Sequence, residues 1–193
     1  MKKFFICLIA LCWIPNSLHL SQAHDAHEHG TAKVNIAVDG AQVSIGLESP
    51  LANLLPFEHS PTTPEQQKQV KDMARRMYSA ETLFKLTPAA ECRLNKVSLE
   101  SENLDASLLD PEATIEPARA DDGGTPNSEK DEEEHGDLDA DFTFLCAKPE
   151  KLNSVDILLF DAWPQLEKVE ARVATPNGQR AGTLSAQKHL FSW

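Results

Sequence analysis

The sequence has few basic residues and no apolar run long enough to cross a membrane. Its 193 residues include 18 Lys and Arg against 30 Asp and Glu, which gives a formal net charge of −12 at pH 7. This balance argues against a nucleic acid partner, because binding phosphates requires positive charge. The main apolar run, residues 4–14, is shorter than the roughly 18 residues of a membrane-spanning helix. We therefore expect no membrane span in the mature chain.

The first 23 residues have the organisation of a secretory signal peptide. Lys2 and Lys3 precede the apolar run, and Ser21-Gln22-Ala23 has small residues at its first and third positions. We expect cleavage after Ala23, which leaves one domain over residues 24–193.

Cysteine is scarce, and two of the four cysteines, Cys7 and Cys12, belong to the predicted leader. Cys92 and Cys146 remain in the mature chain. Two thiols in an exported protein most often pair, and their spacing fits no close-set metal-binding motif. We predict a disulfide between them rather than a two-thiol metal site.

Alternating apolar residues predict a β-hairpin near the start of the mature chain. Ala32 to Val38 alternates, Asp39-Gly40 is a strong turn signal, and Val43 to Leu47 alternates again. A turn centred on Asp39-Gly40 would pair Val38 with Ala41, which places the apolar residues of both strands on one face.

The rest of the chain indicates more strands and one main helix. Thr63-Pro64-Glu65-Gln66 has the pattern of a capped helix start. We expect Phe84 and Leu86 to extend the apolar stripe of that helix before Pro88 ends it. Further strands are predicted at residues 92–99, 142–146, 155–160 and 169–173, with a weaker last strand ending near residue 191. The sequence predicts an α+β domain with an antiparallel sheet of about six strands and one main helix.

An acidic segment interrupts this pattern between the two cysteines. Residues 121–141 contain ten acidic residues and one lysine. Such a composition cannot bury enough apolar surface to offset its ordering entropy. We expect a mobile, disordered acidic loop at about residues 116–137, flanked by two strands that the disulfide would join.

The motifs of common enzyme classes are missing. The sequence has no serine nucleophile elbow, no glycine-rich phosphate loop and no H-E-x-x-H pair. We predict that the protein is not an enzyme. An exported zinc hydrolase would need a general base near the metal, and Glu58 is the one candidate for that role.

Histidines point instead to metal binding. His24, His27 and His29 lie within six residues of the predicted mature N-terminus. If strand geometry continued back through Gly30, His27 and His29 would lie on one face with Cβ atoms roughly 7 Å apart. Their rings could then converge on zinc, for which imidazole is the commonest protein ligand.

Other residues could complete such a site. Asp25, Glu28 or a residue of the Phe57-Glu58-His59 segment could close a tetrahedron, and Glu48 could orient a ring from the partner strand. Zinc or a similar divalent metal suits these ligands, whereas calcium does not select histidine; copper and nickel remain open.

Each histidine also has a simpler interpretation. The N-terminal histidines could belong to a frayed tail, and His59 could be an ordinary loop residue. His135 lies in the acidic run, where it would either be solvated or take part in weak cation capture. His189 is treated as structural or without a role.

Several of these segments together resemble the ZrgA-type zinc-uptake proteins of the bacterial periplasm. They are His27-Glu28-His29-Gly30 leading into strand 34–38, Phe57-Glu58-His59, and the pair Cys92 and Cys146 with a charged insertion between them. The resemblance implies a periplasmic zinc-binding protein that works beside an ABC-type importer, with His27, His29 and His59 as candidate ligands. The insertion departs from the family pattern, because such insertions are often rich in histidine and this one has only His135.

The histidines predict that the protein binds zinc, and the resemblance implies that it captures this zinc for uptake by an ABC-type importer. The candidate ligands are His24, His27, His29, His59 and His135. The alternative is an envelope adaptor that binds another protein, with incidental histidines; deletion of residues 116–137 would separate the two, since only the adaptor should then lose its partner.

Overall fold

The computed structural model describes residues 28–111 and 136–193, and these two ranges contain nine strands and four helices. The strands are β1 (Thr31–Asp39), β2 (Gln42–Pro50), β3 (Phe84–Leu86), β4 (Cys92–Glu100), β5 (Asp137–Cys146), β6 (Ser154–Ile157), β7 (Lys168–Thr175), β8 (Gly178–Leu184) and β9 (Leu190–Ser192). The helices are α1 (Pro64–Tyr78), α2 (Ala80–Leu83), α3 (Ala106–Leu109) and α4 (Leu159–Ala162). The predicted signal peptide and most of the predicted acidic loop lie outside the described residues.

Six strands form the main sheet, in the order β4-β5-β2-β1-β7-β8. The predicted hairpin of β1 and β2 is confirmed, but its register differs by two residues, because Val38 lies opposite Val43 rather than Ala41. Asp39 pairs with Gln42, so Gly40 is the first central residue of the turn and has a φ of 56°. That position with positive φ is typical of a type II′ turn. A shift of two residues keeps every apolar side chain on its predicted face.

The expectation of a purely antiparallel sheet is wrong, because β1 and β7 pair in parallel. The hairpin leaves the second edge of β1 free, and the long chain between the two strands allows the crossover that parallel pairing needs. The sheet is therefore mixed. The predicted α+β class, the six strands and the single main helix are confirmed.

Alternation gives the main sheet one buried face and one open face. Inward-facing residues of β1, β2, β5 and β7, such as Val34, Ile45, Phe142 and Val169, are fully buried in a single core. Phe84 of β3 lies against Phe142 with a centroid distance of 5.1 Å. The buried face is thus covered partly by the smaller elements of the domain, while the opposite face meets solvent.

A second sheet of three strands, in the order β3-β6-β9, accounts for the remaining differences from prediction. Residues 84–86 form β3 instead of extending the helical stripe, because they pair with β6. The strand predicted at 155–160 ends at Ile157 and gives way to α4. It is the central strand of this smaller sheet. The predicted last strand is two strands, β8 and β9.

Helix α1 begins as predicted. Thr63 Oγ1 accepts a hydrogen bond from Gln66 N, and Gln66 Oε1 accepts one from Thr63 N, both at 3.2 Å. This reciprocal pair satisfies two backbone donors at the start of the helix. Val70, Met73 and Met77 are buried, so the methionines are core residues on one face of the helix.

The predicted disulfide between Cys92 and Cys146 is confirmed. The two cysteines lie directly opposite each other at one end of the β4–β5 pair. The bond therefore joins the two strands between which the acidic segment is inserted.

Replacing both cysteines by alanine should lower the free energy of unfolding. The bridged residues are 54 apart in sequence, and closing a loop of this size is worth about 4 kcal/mol in the chain-entropy model. Urea denaturation of the oxidised protein and of the double variant measures the difference. A decrease of less than about 1 kcal/mol in the free energy of unfolding would contradict the chain-entropy model, in which the bond acts by restricting the unfolded chain.

Candidate metal centre

His29 lies in a tight turn directly before β1. Thr31 N donates to Glu28 O at 3.0 Å, and Gly30, the third residue of the turn, has a φ of 81°. This conformation is typical of a type II turn and favours glycine. The expected continuation of the strand through Gly30 is therefore wrong, because positive φ ends the extended backbone at this residue.

Asn53 holds this turn from the interior. The residue is 1% exposed. Its Oδ1 accepts a hydrogen bond from Gly30 N at 2.6 Å, and its Nδ2 donates to Thr31 O at 2.9 Å and to Ser49 Oγ at 3.2 Å. Because an unpaired polar group is costly when buried, these three bonds fix the turn against the end of β2.

The start of β7 holds the turn from the other side. Gly30 O accepts hydrogen bonds from Glu167 N at 2.8 Å and Lys168 N at 2.9 Å. Lys168 Nζ lies 3.1 Å from Glu28 Oε2. The hydrogen bond from this ammonium group lowers the pKa of the Glu28 carboxyl and raises that of Lys168. The turn that carries His29 is thus bonded to two separate parts of the chain.

The second predicted segment, Phe57-Glu58-His59, is irregular but anchored. Phe57 is buried, and its ring stacks on that of His59 with a centroid distance of 5.3 Å. Asn103 Nδ2 donates to Glu58 O at 2.9 Å. A Cβ atom added to Gly136 would lie 2.6 Å from the same oxygen, so the backbone passes this carbonyl too closely for any other residue.

These two segments bring His29 and Glu58 together. His29 Nε2 lies 3.3 Å from Glu58 Oε1, with side-chain exposures of 59% and 20%. Zinc bonds of about 2.0–2.1 Å to nitrogen and about 2.0–2.2 Å to oxygen, at the tetrahedral angle, separate two ligand atoms by about 3.3–3.5 Å. The two side chains therefore have the spacing of two ligands of one tetrahedral ion.

His59 is left with one ring nitrogen for another partner. Its Nδ1 lies 2.8 Å from Ser60 O. A carbonyl oxygen only accepts hydrogen bonds, so Nδ1 carries the proton and Nε2 of the neutral ring keeps its lone pair. Ligand histidines in metal sites are commonly oriented by such a bond.

The described residues do not by themselves form a full site. Within ranges 28–111 and 136–193, no group of three His, Cys, Asp or Glu side chains could hold one metal ion. His24, His27 and His135 lie outside the described residues. Glu48, which could orient a histidine ring, accepts a hydrogen bond from Asn35 Nδ2 at 3.2 Å.

The sequence of the chain also matches a known protein family. A family model described as ZrgA family zinc uptake protein matches residues 26–193. The chain belongs to the ZrgA family. The match includes both His29 and the Phe57-Glu58-His59 segment, and membership supports a role in zinc uptake. A search of curated proteins returns no match. Within the described part of this ZrgA family chain, no helix is long and apolar enough to cross a membrane.

Sequence reasoning did not identify the asparagines that hold the two segments. Asn53 gave one signal, because it is a polar residue within the apolar stretch 50–55. A polar side chain buried at such a position needs hydrogen-bond partners, and here these are the backbone groups next to His29. Asn103 has no comparable signal in its local sequence.

His189 lies apart from the candidate centre, in the smaller sheet. Its Nδ1 contacts Asp156 Oδ1, and its carbonyl accepts a hydrogen bond from Ile157 N at 3.0 Å. These contacts connect the segment before β9 to β6. A structural role, as expected for this residue, agrees with that position.

The open face of the main sheet in this ZrgA family chain is strongly acidic at one end. A row of opposed residues crosses five strands there, namely Glu100, Asp139, Glu48, Lys33 and Glu170. Four of the five are carboxylates. Like charges on directly opposed residues destabilise a sheet.

Burial and this repulsion act together on Asp139. Partial burial, and then the charges of Glu48, Asp137, Asp141 and Glu100, raise the pKa of its carboxyl above the ordinary 3.8. A raised pKa means that ionisation costs more in the folded than in the unfolded chain. The resulting loss of stability is absent below the ordinary value and develops as pH rises through the raised pKa.

Replacing Asp139 by asparagine should therefore stabilise the protein at neutral pH. Solvent screening keeps the gain below about 1 kcal/mol. The gain should shrink with added salt and vanish when Asp139 is protonated in both states. Thermal unfolding at neutral and acidic pH measures it, with Glu102→Gln as a control for loss of an exposed carboxylate elsewhere. An equal gain at both pH values would contradict the electrostatic explanation.

Proposed function

We propose that this protein captures zinc in the bacterial envelope through His29 and Glu58 and supports the uptake of that zinc. The proposal rests mainly on the 3.3 Å separation of His29 Nε2 and Glu58 Oε1. A metal ion bound between these two atoms would take the place of their direct contact. Membership in the ZrgA family supports zinc as the ion.

The chemistry of the two donors favours zinc over harder cations. Imidazole nitrogen suits zinc, copper and nickel, whereas calcium and magnesium are bound by oxygen. Glu58 is only 20% exposed on its side chain, so its charge is less screened by water than that of a surface carboxylate. A neutral imidazole and one carboxylate would leave a bound zinc ion with a net positive charge.

Further ligands are needed, since zinc takes four. We propose that they come from His59, whose Nε2 is free of the Ser60 contact, and from His24, His27 and His135. Each is a histidine of the predicted mature chain. Water or the cargo-receiving protein could occupy a position that none of them fills, which suits a protein that releases its metal.

The N-terminal sequence and the family support a proposal for the setting of this function. We propose export to the periplasm with cleavage after Ala23, and transfer of zinc to an ABC-type importer. On this proposal the protein binds metal without catalysing a reaction, and zinc is its cargo. The acidic segment around residues 116–137 would raise the local concentration of cations.

Replacing His29 by alanine should weaken zinc binding at least about tenfold, because one direct ligand is lost. Glu58→Gln should act in the same direction, since the neutral amide is a poor zinc ligand. Calorimetric titration of the mature protein without a histidine tag measures both affinity and stoichiometry. His189→Ala is the matched control, and unchanged affinity in both site variants would refute the assignment.

Zinc affinity should also fall with pH. Protons compete with the metal for imidazole nitrogen, and the reference pKa of histidine is about 6.5. We expect the zinc affinity to be constant above about pH 7.5 and to fall progressively between about pH 7.5 and pH 5.5. Competition against a zinc-binding dye at each pH, with the dye calibrated separately, gives the curve. An affinity that stays constant over this range would point to carboxylates alone.

A further inference from the structure

Neither of the two proposed ligands lies in a helix or a strand. His29 is in a turn before β1, and Glu58 is in an irregular segment between β2 and α1. No ladder of strand hydrogen bonds fixes their separation. Besides the backbone hydrogen bonds from Glu167 and Lys168 to Gly30 O, an asparagine side chain attaches each segment to the rest of the domain.

We propose that Asn53 and Asn103 are positioning residues that set the separation of His29 and Glu58 for metal binding. The inference rests on the proposed function, in which these two side chains bind zinc. Neither asparagine is proposed to contact the ion. Each acts on one half of the pair through the backbone of that half.

Asn53 determines where His29 lies. Its amide bridges the N–H of Gly30 and the C=O of Thr31, the two residues that follow His29, and it does so from a fully buried position. Alanine at residue 53 would leave both backbone groups without these partners. The turn would then shift so that Gly30 N–H and Thr31 C=O could form hydrogen bonds with water, and the imidazole of His29 would move with the turn.

Asn103 determines where Glu58 lies. Its Nδ2 donates to Glu58 O, while the backbone of Gly136 passes the same carbonyl. Leu51 N in turn donates to Gly136 O at 2.8 Å. Asn103 and Gly136 thus hold the Glu58 backbone between the loop before α3 and the start of β5.

Small displacements matter because the ligand spacing is narrow. The observed 3.3 Å lies at the lower end of the range for two ligands of one tetrahedral zinc ion. Loss of residues that orient metal ligands typically lowers metal affinity about tenfold to a hundredfold. We expect losses in that range from either asparagine.

The experiment compares zinc titrations of the mature protein and of Asn53→Ala and Asn103→Ala. Asn153→Ala is the matched control, because its Oδ1 accepts hydrogen bonds from Thr87 and Ser154 in the smaller sheet, away from the centre. Thermal unfolding without metal shows whether each variant is folded at the titration temperature. Should Asn53→Ala fail to fold, the half-exposed Asn103 decides the outcome.

A double-mutant cycle separates positioning from a merely structural role. In a His29→Ala background, Asn53→Ala should cause little further loss of zinc affinity, because Asn53 acts through His29. In a Glu58→Gln background, Asn103→Ala should cause little further loss, because Asn103 acts through Glu58. An equal loss from each asparagine substitution with and without the ligand that it positions, or no loss from either asparagine, would overturn the inference. Wild-type affinity in both His29→Ala and Glu58→Gln would overturn the proposed function and this inference together. A weakened His29→Ala beside unaffected asparagine variants would overturn the inference alone.

Discussion

The turn at Gly30 is the constraint on which both the sheet and the candidate centre depend. Its carbonyl receives two backbone hydrogen bonds from the first residues of the β7 segment, and its N–H is bonded to the buried Asn53. The first contact starts the parallel pairing of β1 with β7, which makes the sheet mixed. The second fixes the place of His29. Gly30, in a conformation suited to glycine, therefore sets the register of β1 against β7 and positions His29, a proposed ligand.

The other half of the centre depends on how the chain enters β5. Gly136 precedes that strand, accepts a hydrogen bond from Leu51 and lies against the carbonyl of Glu58. At the far end of β5, Cys146 is joined to Cys92. The strand that follows the acidic segment is thus fixed at both ends, by close packing at one and a covalent bond at the other. The position of Glu58 therefore depends on the contacts of Gly136 and β5, and not on the amino-acid composition of the segment inserted before β5.

Local patterns predicted the parts of this fold that local forces determine. The hairpin follows from alternation and a glycine turn, and α1 follows from Thr63, Pro64 and Gln66. The parallel pairing of β1 and β7 has no local signal, because it joins strands distant in sequence. His29 could be predicted as a ligand from its own segment, and Glu58 as one of several possible neighbours. Their contact could not be predicted, because it also joins residues that are distant in sequence. The asparagines that hold them act through backbone groups, and the one trace of this in the sequence is that Asn53 is a polar residue within an apolar stretch.

The acidic sheet face and the proposed centre would act on cations in different ways. The row around Asp139 is largely exposed and offers only oxygen, so it attracts any cation through a field that salt screens. His29 and Glu58 combine nitrogen with a half-buried oxygen at a fixed separation, which discriminates by ligand type and geometry. A protein that must collect a scarce divalent metal among abundant calcium and magnesium needs the second property. On the proposed function, selectivity therefore resides in the pair, and the negative face contributes to the rate of encounter.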